Sequence, residues 1–107
     1  MTEHDLRVVL WNIHNNNKLI CFPLGAHKKI TNYADRWQPN WAKIFDQILE
    51  DMMNGEGYPD KNGNNKNGMY WELPIGIFTK EWMVVFFRPP EPHDDSYLIY
   101  DFEIVKK

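Results

Sequence analysis

Asn40-Trp41-Ala42-Lys43-Ile44-Phe45-Asp46-Gln47-Ile48-Leu49-Glu50-Asp51-Met52-Met53-Asn54-Gly55 is the stretch around which the rest of the chain is read. From Trp41, the apolar residues Ile44, Phe45, Ile48, Leu49, Met52 and Met53 recur at steps of 3, 4, 7, 8, 11 and 12. On a helix of about 3.6 residues per turn, that spacing keeps them on one stripe. Asn40 is a favoured N-cap and Gly55 a favoured residue just past a C-terminus, so a helix over about 41–54 is expected. Such a stripe must be buried against another layer.

The layer is supplied by strands. Residues 6–13 (Leu-Arg-Val-Val-Leu-Trp-Asn-Ile) are rich in β-branched and aromatic residues and read as a strand, and residues 19–23 read as the returning strand of a hairpin across the turn His14-Asn15-Asn16-Asn17. Between that hairpin and the main helix, Ile30, Tyr33 and Trp37 step by 3 and 4, which suggests a helical turn over about 31–37. Beyond the helix, residues 55–68 are Gly- and Asn-rich and read as a long polar loop. Residues 69–73, 75–79, 82–88 and 97–105 then read as strands, with the third and second of these joined as a hairpin across Lys80-Glu81. In the last strand Leu98, Tyr100, Phe102 and Ile104 alternate with Ile99, Asp101 and Glu103, the pattern of one wet and one buried face. The expected fold is a single α+β domain over 1–107, with a mostly antiparallel sheet of about five to six strands on one main helix.

Composition narrows the function classes. The chain has 107 residues, which suits one domain, and 43% hydrophobic content, which suffices for a core. A formal charge of −3 works against a surface that grips nucleic acid mainly through phosphates. The single cysteine, Cys21, permits no internal disulfide, and the polar start Met1-Thr2-Glu3-His4-Asp5 has no secretory pattern. No apolar run approaches the roughly 20 residues a membrane-spanning helix needs. A cytoplasmic protein without membrane contact is expected.

The chain's candidate chemistry-bearing residues do not form a recognisable catalytic or metal-binding pattern. His14, Cys21 and His27 do not have zinc-ligand spacing. His93-Asp94-Asp95 reads as a solvated turn ahead of a strand, and an enzyme using His27 or His93 ranks third among the functional readings. Asp60-Lys61-Asn62-Gly63-Asn64-Asn65 echoes a calcium loop, but Asn65 stands where Gly is needed and Trp71 where Glu is needed. Neither metal nor cofactor is expected, and no catalytic residue is assigned.

One mismatch points toward binding. Val8-Val9-Leu10-Trp11 and Trp82-Met83-Val84-Val85-Phe86-Phe87 are apolar on both faces, whereas one strong helix covers only one. The uncovered face, five Trp and the acidic balance suggest a small protein-binding inhibitor. A toxin-neutralising immunity protein and a phage-encoded inhibitor of a host enzyme are the concrete versions, with a basic toxin or host enzyme as partner. A homodimer using the same face is the variant of that reading. The expected anchors are Trp37, Trp41 and Tyr58, with Asp46, Glu50, Asp51 and Asp60 as an acidic rim. The alternative is a nucleic-acid or nucleotide-phosphate binder using the basic and aromatic 27–41 segment, with His27, Lys28, Lys29 and Arg36 on phosphate.

Overall fold

A computed structural model describes residues 20–21, 24–32, 39–62, 67–76 and 78–107. The expected strand at 6–13 and its hairpin turn lie outside them. The described elements are β1 (Ile20–Cys21), α1 (Leu24–Thr31), α2 (Pro39–Met53), β2 (Tyr58–Pro59), β3 (Met69–Pro74), β4 (Glu81–Arg88) and β5 (Tyr97–Lys106). The strands form one sheet in the order β1-β5-β4-β3-β2. Strands β2 to β5 are antiparallel, four rather than the expected five to six, and the two-residue β1 joins β5 in parallel. The α+β class is as expected.

The main helix owes its position to its stripe. Trp41, Phe45, Ile48, Leu49 and Met52 are buried and meet Met83, Val85 and Phe87 of β4 and Ile99 and Phe102 of β5. Phe45 and Phe102 pack edge to face with ring centroids 5.9 Å apart, a favoured aromatic geometry. The helix begins at Pro39, one residue before Asn40, because a proline's fixed φ suits the first helical position. It ends as expected at Gly55, where φ is +96°. There the Gly55 amide donates to the Met52 carbonyl at 3.1 Å and the Glu56 amide to Asp51 at 3.0 Å. This paired closure satisfies carbonyls that a helix end otherwise leaves bare.

Three expectations are corrected. Helix α1 runs over Leu24–Thr31, ahead of the turn expected at 31–37, of which residues 33–37 lie outside the described part. Ala26 and Ile30, one turn apart, are buried among its described side chains, and Pro23 precedes the first helical residue in the sequence. The described residues of the strand expected at 75–79 (75, 76, 78 and 79) belong to no strand: β3 and β4 pair directly from Pro74↔Trp82 to Met69↔Phe87, so they lie in the connection between them. Lys80 takes a positive φ of 57° there, and Phe78 stands 94% exposed at the tip. The loop at 55–68 is partly sheet, because Tyr58 and Pro59 pair with Tyr70 and Met69.

The most consequential departure lies in β5. Its expected alternation fails at Tyr100, since Phe86 pairs with Asp101 whereas Phe87 pairs with Ile99. Tyr100 is therefore one residue too many for the ladder, a β-bulge that inverts parity along the strand. Ile99 and Phe102 both turn to the helices and are fully buried, and Tyr100 turns to the opposite face.

Truncating Phe102 to alanine is expected to cost about 3–5 kcal/mol in urea denaturation, as for other large aromatics in closed cores. Gly57→Ala should cost more than Gly55→Ala. Both need positive φ, but a Cβ on Gly57 would lie 2.9 Å from Phe87 Cζ and 3.0 Å from Met69 Cε, whereas Gly55 faces open space. The expected losses are about 1 kcal/mol at Gly55 and about 2–3 kcal/mol at Gly57.

Candidate binding face

The sheet side away from α2 carries the outward residues of all four antiparallel strands. The register sets Tyr70 beside Phe86 and Tyr58 beside Tyr70, and the bulge delivers Tyr100 next to Phe86. Ring centroids follow one another at 5.6 Å for Tyr58–Tyr70, 6.1 Å for Tyr70–Phe86 and 6.3 Å for Phe86–Tyr100. All are in the range of productive aromatic contact, so the four rings make a continuous row across the sheet. Tyr58 also lies 5.5 Å from the Trp71 ring and is 54% exposed.

The next row consists of Glu72, Val84 and Glu103 in register, with carboxylates on both sides of an apolar centre. The two rows and the turn after β2 enclose a groove of ≈ 650 Å³. Tyr58, Tyr70, Val84 and Phe86 supply its apolar surface, and Asp60, Lys61, Glu72 and Glu103 its charges.

The carboxylates have defined partners. The Tyr100 hydroxyl donates to Asp60 Oδ2 at 2.6 Å, which ties the β2 turn to β5 across the sheet. Burial first, and then the adjacent Asp60 and Asp101 carboxylates, push the Tyr100 phenol well above its ordinary range. Lys29 reaches from α1 to Asp101 at 2.8 Å and Glu103 at 3.3 Å. Desolvation opposes the charge on Lys29, but those two carboxylates outweigh it and raise its pKa. Lys107 pairs with Glu72 and lies 4.5 Å over the Trp82 ring.

The expected site residues separate accordingly. Tyr58 and Asp60 lie together in the groove. Trp41 is 4% exposed and belongs to the core, because its place in the helix stripe turns it toward the sheet; it is not an anchor. Asp46 and Glu50 are exposed on α2 and remote in the sequence of layers from the groove. Asp51 joins helix to sheet, accepting from Trp71 Nε1 at 3.0 Å and from Gln47 Nε2 at 2.8 Å. Trp37 and Arg36 lie outside the described residues, and His27 is placed only as part of α1. Lys28 is exposed, and Lys29 is held by its two carboxylates rather than presented to a phosphate. Sequence reasoning missed Tyr70, Phe86 and Tyr100. The two-sided apolarity of 82–87 signalled Phe86, but no local signal marks the bulge that turns Tyr100 outward.

The His93-Asp94-Asp95 turn serves a structural purpose. Asp94 accepts from the Ser96 hydroxyl at 2.5 Å, the Ser96 amide at 3.0 Å and Arg88 Nη2 at 3.0 Å. These donors, Ser96 foremost, hold its carboxyl down at about 2. Among the described residues, no three His, Cys, Asp or Glu side chains group so as to hold a metal ion. Nor is any described helix long and apolar enough to cross a membrane. Comparison with family models, curated proteins and solved structures returns no match.

The raised Tyr100 pKa means that folding favours the protonated phenol. Its stabilisation is present in full below the unfolded value of about 10 and is lost as pH rises above it. Tyr100→Phe should lower stability by about 0.5–1 kcal/mol near neutrality, since the lost bond is partly solvent-screened. The same variant should show a shallower decline above about pH 10 than the parent when urea midpoints are compared across alkaline buffers. Asp94→Asn should act at the other extreme, removing a stabilisation that is present above about pH 3.9 and fades as pH falls toward 2.

Proposed function

We propose that the chain is a small cytoplasmic protein-binding module that blocks the protein it binds, in the manner of an immunity protein or a phage-encoded enzyme inhibitor. The carrying observation is the row Tyr58–Tyr70–Phe86–Tyr100, bordered by Asp60, Glu72 and Glu103. Aromatic anchors with a charged border are the usual composition of a protein-binding centre, because rigid rings bury much area at little entropic cost. Carboxylates on that border favour a basic partner and speed its approach. Lys29, one candidate for phosphate contact, is engaged by Asp101 and Glu103, which supports protein over nucleic acid as the partner.

Affinity capture with the tagged protein, with nuclease and rising salt, tests this reading against its alternative. The expected result is one stoichiometric protein that survives nuclease and whose purified activity falls on titration with the chain. Tyr58→Ala combined with Tyr70→Ala should weaken that complex by about 30-fold or more, the scale of an interface hot spot. Asp46→Lys with Glu50→Lys, on the helix layer, should change it little. Capture that collapses with nuclease, or is indifferent to the tyrosines, overturns the reading.

A further inference from the structure

Resting on that reading, we infer that the groove seats a basic side chain, arginine or lysine, carried by an extended segment of the partner, with Asp60 as its counter-ion. The floor and near wall are apolar and aromatic: Val84, Phe86, Tyr58 and Tyr70. An aliphatic stem can lie along such a surface while its charged head meets ring faces and carboxylates. Three carboxylates line the groove, and Lys61, exposed beside Asp60, is the cation among the lining residues.

The positions of the lysines decide where the head goes. Glu72 is paired with Lys107 and Glu103 with Lys29. Asp60 instead receives a neutral hydroxyl, from Tyr100 onto Oδ2 at 2.6 Å. Among the described residues Asp60 has no cationic partner, and Oδ1 retains its capacity to accept. The chain uses the same recognition once with its own side chain, since the Lys107 ammonium lies over Trp82 while paired with Glu72. The Asp60 end repeats that recipe, rings beside a carboxylate, with Tyr58 and Tyr70 in the place of Trp82. The groove volume of ≈ 650 Å³ exceeds one side chain, which fits a short run of extended polypeptide rather than an isolated cation.

The test titrates the intact protein with an end-capped peptide of alternating glycine and arginine, and with its citrulline counterpart, which keeps shape and loses charge. Calorimetry and the ring resonances of Tyr58 and Tyr70 provide the readouts. The arginine peptide should bind saturably and shift those rings, with the citrulline peptide and Asp60→Asn each weaker by about tenfold. Lys61→Gln should tighten binding about two- to threefold by removing a like charge. Equal binding of both peptides, shifts located elsewhere, or indifference to both Asp60→Asn and a folded Lys61→Gln overturns the inference. Such a result beside a captured partner that still requires Tyr58 and Tyr70 would refute the cation seat alone. A cation seat that behaves as expected beside no captured protein would instead refute the inhibitor reading.

Discussion

The apolar stripe of α2 against the inner residues of β4 and β5 is the constraint on which everything else depends. Phe45, Ile48, Leu49 and Met52 can be buried only where Val85, Phe87, Ile99 and Phe102 meet them. A helix has one such stripe, so it covers one side of the sheet. Strand β4 is apolar on both sides, and its outward residues Trp82, Val84 and Phe86 must find company among side chains from β3 and β5. The aromatic row and its flanking carboxylates are the result. The aromatic face is thus a direct consequence of how the core is closed.

Polar contacts then hold the layers at fixed relative positions. Trp71 ties β3 to α2 through Asp51, Lys29 ties α1 to β5 through Asp101 and Glu103, and Tyr100 ties the β2 turn to β5 through Asp60. Each contact joins residues at least 20 positions apart in the chain, so each restrains tertiary rather than local structure. Their partial exposure makes any one of them modest in energy. Two of them bear on the groove geometrically: Lys29 sets where Glu103 points and Tyr100 where Asp60 points.

The features legible in the sequence were those with a strong local signature. Seven apolar residues at helical spacing, ending in Gly55, defined α2, and alternation with turn residues located β3, β4 and β5 to within a residue or two. Features set by distant partners were not legible. Residues 75–79 look like a strand by propensity, but the β3–β4 pairing leaves the described ones among them in a connection. Among the described side chains of helix α1, Ala26 and Ile30 are the buried ones, and an element of eight residues gives few positions for a period to declare itself. Of the candidate face, Tyr58 and Asp60 are the residues that residue type and loop position single out. Trp41 was ambiguous because a tryptophan on an apolar stripe serves core and surface equally well until the packing is seen. Alternation alone sets Tyr100 on the same face as Phe102, because it is a two-residue rule, and a bulge breaks it without leaving a compositional trace.

That bulge also bears on how the face responds to a visitor. An extra residue in one strand increases local twist and bends the ladder, so the shape of the face beside Phe86 and Tyr100 is built into the backbone. Rings already in mutual contact, with the last one hydrogen-bonded at its hydroxyl, have few rotamers left to surrender on association. Under the proposed function, preorganisation of this kind lowers the entropic cost of complex formation and places the discrimination between partners in the shape they must match rather than in a rearrangement they must induce.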